Sequence, residues 1–200
     1  MKTILHIISS PRGDASFSTK LGNALIEKLQ AEYPENKVHV HDLTKAPFDH
    51  MGKHHLEAFF TRPENRTQTH IADIRQSEEA VDELFAADII VISVPVFNFN
   101  IHSTLKAWID NIVRVGRTVT FGPTGPEGLL KNKKVYLAIS SRSVFSDGPM
   151  KNFDFVAPYL KYILGFLGLT DVEVVRVEGS SDPAEQTVAL KRALNEFEVA

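Results

Sequence analysis

No cysteine occurs among the 200 residues of this chain. Disulfides, thiolate metal sites, iron–sulfur clusters and a cysteine nucleophile are therefore excluded. Apolar runs long enough to span a bilayer are missing as well. Neither sign of charge dominates: 22 Lys and Arg against 25 Asp and Glu leave a formal net charge of −3. Such a balance gives no electrostatic footprint for nucleic acid or an anionic membrane. There is no G-x-G-x-x-G and no G-x-x-x-x-G-K-[ST], which disfavours a pyrophosphate or nucleoside-triphosphate grip. Without G-x-S-x-G a serine hydrolase is disfavoured too. Met1-Lys2-Thr3 leads directly into an apolar strand without the zones of a signal peptide, so the expected location is cytoplasmic.

What is present is ordinary globular material, 43% hydrophobic and 24% charged, enough for one domain over residues 1–200. The most informative stretch is Ile89–Asn100, IIVISVPVFNFN. Its β-branched run reads as a strand buried on both faces, which is the habit of parallel sheets covered by helices. The run stops at Pro95, and Phe97 and Phe99 then flank Asn98 in a turn that offers aromatic surface and backbone polar groups.

Strands are expected at Thr3–Ile8, Lys37–Leu43, Asp88–Val94, Val135–Ser140 and Val172–Glu178. Helices are expected at Phe17–Tyr33, Gln68–Ala86, roughly Ser103–Val115, Phe153–Leu167 and Pro183–Phe197. Pro47–Pro63 shows no clear period and reads as an excursion, and Phe121–Gly128 is too rich in Gly and Pro for a regular element. Alternation of this kind calls for an α/β fold with a parallel sheet and right-handed crossovers. Five strands favour the flavodoxin-like three-layer arrangement, order 2-1-3-4-5, with the ligand crevice where strands 1 and 3 diverge. The loops Ser9–Ser18, Pro95–Asn100 and Ser140–Gly148 should converge there.

The first of these loops, SSPRGDASFS, joins a strand to a helix N-terminus, a natural site for a phosphate, with serine hydroxyls as extra donors and Arg12 as charge. Taken alone it reads equally well as a surface turn in which Ser16 caps the helix. The third loop, Ser140-Ser141-Arg142-Ser143, could edge a ligand ring, although alone it reads better as a plain turn. Convergence adds the weight: a phosphate grip beside aromatic surface suits a phosphorylated planar ring. His50, His54 and His55 read as a solvated excursion rather than a metal site, and Trp108 and Ile112 as packing.

Together these residues resemble the FMN-dependent NADH-azoreductases within the flavodoxin-like NAD(P)H–quinone oxidoreductase superfamily. The likeness rests on S-S-x-x-x-x-x-S-x-S at Ser9–Ser18, P-x-x-N-F-N-I at Pro95–Ile101 and S-T-L-K at Ser103–Lys106. G-P-E-G-L at Gly125–Leu129, D-G-P at Asp147–Pro149 and P-Y-L…L-G-F-L-G at Pro158–Gly168 extend it. The resemblance implies non-covalent FMN, with Ser10, Ser16, Phe17 and Ser18 on its phosphate. It implies Pro95, Val96, Phe97, Asn98 and Phe99 along the isoalloxazine, and Ser140, Ser141, Arg142 and Ser143 at the pyrimidine edge. It further implies NADH or NADPH as donor, a quinone or azo compound as acceptor, and flavin-centred chemistry with no catalytic side chain. A homodimer is implied in which Phe121 and Tyr162 or Ile163 reach the partner's flavin. The chain departs from the family pattern at Val96-Phe97, where Met-Tyr is common, and at Ser140–Ser143, where Ser-Arg-Gly-Gly is common. Both departures bear on FMN affinity and substrate range. The alternatives are a flavodoxin-type electron carrier and a flavin-free binding module of the same fold.

Overall fold

In the computed structural model, which describes residues 1–199, strands and helices alternate along the chain. The order is β1 (Lys2–Ile8), α1 (Phe17–Glu32), β2 (Asn36–Asp42), α2 (Lys53–Phe60), α3 (Gln68–Ala86), β3 (Ile89–Pro95) and α4 (Ser103–Ile112). A short pair, β4 (Val119–Gly122) and β5 (Gly125–Gly128), follows. Then come β6 (Lys134–Ser140), α5 (Ala157–Phe166), β7 (Asp171–Val177) and α6 (Pro183–Glu196). The main sheet runs β2-β1-β3-β6-β7, every neighbouring pair parallel. This is the expected flavodoxin-like order.

β3 lies at the centre, and all seven of its residues are buried. Its alternation divides the core between two layers. Ile89 and Val91 face Leu21, Leu25 and Leu29 of α1. Ile90, Ile92 and Val94 face the layer of α3, α4 and α5 through Val81, Leu84, Leu105, Trp108 and Leu160. Each such side chain contributes about 1.5–3 kcal/mol on burial, so β3 has no tolerable solvent-facing side. The helical periodicity of Trp108 and Ile112 is packing, as expected: both are buried.

The chain steps from β1 outward to β2, then crosses back to pair β3 against the other edge of β1. That reversal opens the crevice beyond the C-terminal ends of β1 and β3. A buried polar tie braces the two strands there. His6 Nε2 and Ser93 Oγ share a 2.8 Å hydrogen bond, and Ser9 Oγ and the Ser9 N–H both donate to the Ser93 carbonyl. Gly22 of α1 lies directly above: a Cβ there would sit 2.2 Å from Ser93 Oγ and 2.7 Å from His6 Nε2. Only glycine lets α1 approach this closely.

Three expectations are corrected. Phe121–Gly128 is not irregular. It forms most of an antiparallel hairpin in which Val119 pairs Gly128 and Phe121 pairs Pro126. Its glycines suit that geometry, because a Cβ on Gly128 would collide with the backbone of Leu167 and Gly168. Pro47–Pro63 contains α2, which packs on α3 and buries His55 and Ala58. His55 is therefore not solvated: its Nδ1 accepts the Gly52 N–H. The helix expected from Phe153 begins only at Ala157, after a 3₁₀ turn over Gly148–Phe153. Asp154 Oδ1 accepts the N–H groups of Val156 and Ala157 there, and so starts the helix late.

Burial lowers the pKa of His6 from the ordinary 6.5 to about 4. The unfolded chain binds this proton near its ordinary pKa, whereas the folded chain resists it down to the lowered one. Stability from this group is thus intact at neutral pH and falls on acidification between those values. The cost reaches roughly 3 kcal/mol once pH is below the folded pKa. His41 works the other way, its pKa raised chiefly by the hydrogen bond that its Nδ1–H donates to the Glu83 carboxylate. Urea unfolding of the native protein and of His6→Gln across this acid range should show a smaller acid loss in the variant. Equal slopes would remove His6 from the account.

Candidate functional site

The three loops meet at the switch point and enclose a cavity of about 380 Å³, within the range of cofactor pockets. From the β1 loop come Ser10, Arg12, Ser16 and Phe17, and from the β3 loop Pro95, Val96, Phe97 and Asn98. The β6 loop contributes Ser140, Ser141 and Arg142, and α6 contributes Gln186. The loops are joined by ladder bonds that outrun the strands: Val96 N–H donates to Ser140 O and Ser141 N–H to Val177 O.

At one end the wall is an anion cradle. Ser16 is the N-cap residue of α1, yet its side chain makes no capping bond. Instead its hydroxyl lies 3.0 Å from that of Ser18. The first-turn N–H groups of Phe17, Ser18 and Thr19 consequently lack a partner among the described residues. The buried Thr19 hydroxyl has none either. Unpaired N–H groups, the positive end of the helix dipole and serine hydroxyls are the elements of a phosphate site.

The β3 loop is a tight hairpin. Phe97 and Asn100 exchange backbone hydrogen bonds of 2.9 and 2.8 Å. Between them Asn98 and Phe99 have φ of 47° and 65°, the positive pair of a type I′ turn. Asn tolerates this region, but a bulky residue such as Phe99 is held there at a cost of about 1–2 kcal/mol. Its ring meets Phe145 edge-on at 6.2 Å and lies 6.3 Å from Phe153, so aromatic packing holds the strained turn. Phe97 in turn packs edge-on against His102.

The β6 loop is latched from below by Glu178. Its carboxylate accepts the N–H groups of Phe145 and Ser146 and bonds the Ser146 hydroxyl. Arg176 lies between Glu178 and Asp154, 2.5 Å from the latter. The three side chains are nearly buried. One charge network thus ties the β6 loop, the end of β7 and the start of α5.

Not every expected site residue reaches the cavity. Ser18 is buried behind Ser16. Ser143 turns its carbonyl to the Ser141 hydroxyl. Phe99 stands half-exposed above the rim with Phe145 and Phe153. Phe121 on the hairpin and Tyr162 on α5 are 62% and 77% exposed and lie outside this cavity, while Ile163 packs against the core. Gln186 was missed, because an exposed-looking helix far along the chain gives no sequence signal that it borders the crevice. Phe145 was missed likewise. A larger cleft of about 460 Å³ lies between β1, β2 and α3, lined by His39, Glu79, Asp82 and Glu83. Its carboxylates repel a phosphate, so chemistry favours the smaller cavity.

The residues present fit FMN: donors without acidic side chains at one end of the cavity, and apolar and amide surface at the other. A doubly wound sheet with an anion cradle and ring-sized walls at its switch point defines a flavodoxin-like cofactor protein. Residues 2–199 match the family model described as flavodoxin-like fold. The FMN-dependent NADH:quinone oxidoreductase of Mesorhizobium japonicum is 43% identical over 192 residues, covering 96% of this chain and 91% of that protein. The FMN-dependent NADH:quinone oxidoreductase of Herminiimonas arsenicoxydans is 44% identical, with 92% and 91% covered. An FMN-dependent NADH-azoreductase from Bacillus anthracis, solved in complex with FMN, superposes with a TM-score of 0.86 at 26% identity, covering 98% and 97%. The chain belongs to the flavodoxin-like family, in the branch of the FMN-dependent NADH:quinone oxidoreductases and azoreductases.

Glu178→Ala would strand two loop N–H groups and leave Arg176 with Asp154 alone. The expected loss of stability is about 2–4 kcal/mol, read as a fall in the denaturant midpoint at unchanged slope. A loss within a few tenths of a kcal/mol would show that the carboxylate does not hold the loop.

Proposed function

We propose that this protein is an FMN-dependent oxidoreductase that uses NADH or NADPH to reduce quinones to hydroquinones and to cleave aromatic azo compounds to amines. The carrying observation is the pairing, in one cavity, of α1's unpartnered N–H groups with the Pro95–Asn98 and Ser140–Arg142 walls. FMN, bound without a covalent bond, would supply two-electron chemistry between the nicotinamide and an acceptor that uses the same face in turn, in ping-pong order.

The chain's own part is binding, orientation and electrostatics. Ser10, Ser16, Phe17 and Ser18 hold the phosphate, Ser18 through its backbone N–H and its bond to Ser16. Pro95, Val96, Phe97 and Asn98 form the apolar and amide wall for the ring, with Phe99 at its rim. Ser140, Ser141 and Arg142 present donors where negative charge collects on the reduced ring, and Ser143 secures that loop through Ser141. No side-chain nucleophile is required. Quinone reduction consumes one hydride and one proton from water, and azo cleavage consumes two such rounds.

We further propose that the protein acts as one domain over residues 1–200 and works as a homodimer in the cytoplasm. Phe121 on the β4–β5 hairpin, Phe153 and Phe155 just before α5, and Tyr162 on α5 are large exposed aromatics, the kind of apolar surface that association covers. Phe121 and Tyr162 would then meet the partner's cofactor, with Ile163 supporting them from the core side. No helix among the described residues is long and apolar enough to cross a membrane, and the net charge offers nothing to nucleic acid.

Two experiments test this reading. Anaerobic addition of NADH or NADPH to the FMN-loaded protein should bleach the flavin absorbance, and a quinone should restore it. Protein that takes up FMN yet is never bleached by either nucleotide is not this enzyme. Ser16→Ala should raise the FMN dissociation constant about tenfold and lower the apoprotein's melting temperature by only about 2–4 °C, the cost of the one Ser18 bond that its hydroxyl makes. Asn98→Ala should alter flavin reactivity more than flavin retention. Unchanged absorbance and turnover in both variants would contradict the site map.

A further inference from the structure

We propose that Gln186 contacts the cofactor, its side-chain oxygen accepting a hydrogen bond from the polyol chain between phosphate and ring. The inference rests on the FMN reading above and adds a wall to the site that neither the motifs nor the loops contain. Gln186 lies near the start of α6 and is 8% exposed. Its Nε2 donates to the Ser180 carbonyl at 2.9 Å. A carbonyl can only accept, so this bond settles which end of the carboxamide is which. Oε1 is thereby left without a hydrogen-bond partner among the described residues, while the side chain borders the cavity shared by Ser10, Ser16 and Arg142.

The position and the chemistry select the same part of the ligand. α6 packs against α1 and β7, so Gln186 enters between the phosphate cradle of α1 and the loop that leaves β6 beside β7. The cradle consists of N–H and hydroxyl groups and the Arg12 guanidinium. A phosphate dianion offers acceptors alone, and a carboxamide oxygen facing it would gain nothing. The hydroxyls of a sugar alcohol donate, and they complement an acceptor that is already oriented by its other end. That preorganisation limits the rotamer entropy lost on binding.

Three flavins separate these roles: FMN carries phosphate, polyol and ring, riboflavin lacks the phosphate, and lumiflavin lacks the polyol as well. Fluorescence titrations would compare the native protein with Gln186→Met, which keeps length and volume and removes both the acceptor and the Nε2 bond to Ser180, and with Gln186→Lys, which keeps a donor for Ser180 and removes the acceptor alone. Both variants should bind riboflavin, and Gln186→Met FMN as well, about five- to tenfold more weakly, and lumiflavin as the native protein does. Unchanged affinity for FMN and riboflavin overturns the assignment. So does an equal loss for all three flavins, which would mean a displaced wall. Native protein that binds no FMN at all would instead overturn the cofactor reading itself, and with it this one.

Discussion

The structure depends on the double-sided burial of β3. A strand whose seven residues are all covered must lie inside a sheet with helices on both faces, and its parallel neighbours require crossovers that supply those helices. Once β1 pairs with β2 on one side and β3 on the other, the reversal of winding places a crevice beyond their C-terminal ends. Topology alone marks that crevice as the place for a ligand, before any polar residue is considered. The His6–Ser93–Ser9 tie and the close approach of Gly22 then set the distance between α1 and β3. That distance decides where the N-terminus of α1 aims its N–H groups.

Around this scaffold the site uses backbone and hydroxyl groups more than charge. The cradle gains its positive character from helix geometry, with Arg12 alone adding a full charge from the β1 loop. The ring wall gains its shape from a left-handed Asn98-Phe99 turn, whose strain is offset by the Phe145 and Phe153 contacts and by the Glu178–Arg176–Asp154 network beneath. Strain held in place by surrounding packing is common where a loop must present a fixed surface to a ligand. Protein groups that only position and polarise suit a reaction whose electrons reside on a cofactor.

Much of this was legible in the sequence, for reasons that can be named. Ile89–Val94 showed its burial because both of its faces are apolar, and Leu21, Leu25 and Leu29 showed theirs through helical spacing. Ser10, Ser16, Pro95, Asn98 and Ser141 line one cavity, and the sequence pointed to them because they lie where a strand gives way to a turn, where crevices form. The rest lacked a local signal. α2 hides because its inward face is only His55 and Ala58, too few positions to set a period. The β4–β5 hairpin hides because glycines needed for close backbone contact look the same as glycines of a loop. Gln186, Phe145 and Glu178 act across separations of many residues, and their roles appear only when β7 and α6 are laid beside β6. Ser18 and Ser143 do not line the cavity: the Ser18 hydroxyl bonds that of Ser16, and Ser143 offers its backbone carbonyl to the Ser141 hydroxyl.

The central claim is that a phosphate group is held at the N-terminus of α1, out of exchange with water. Phosphorus NMR of the FMN-bound protein tests this directly. The resonance of bound FMN should be displaced from that of free FMN and should not move between about pH 6 and pH 8, because the helix N–H groups keep the phosphate a dianion throughout. A resonance that titrates with the second phosphate pKa of about 6, as free FMN does, would mean that the phosphate is solvated and the cradle empty, and would contradict the account.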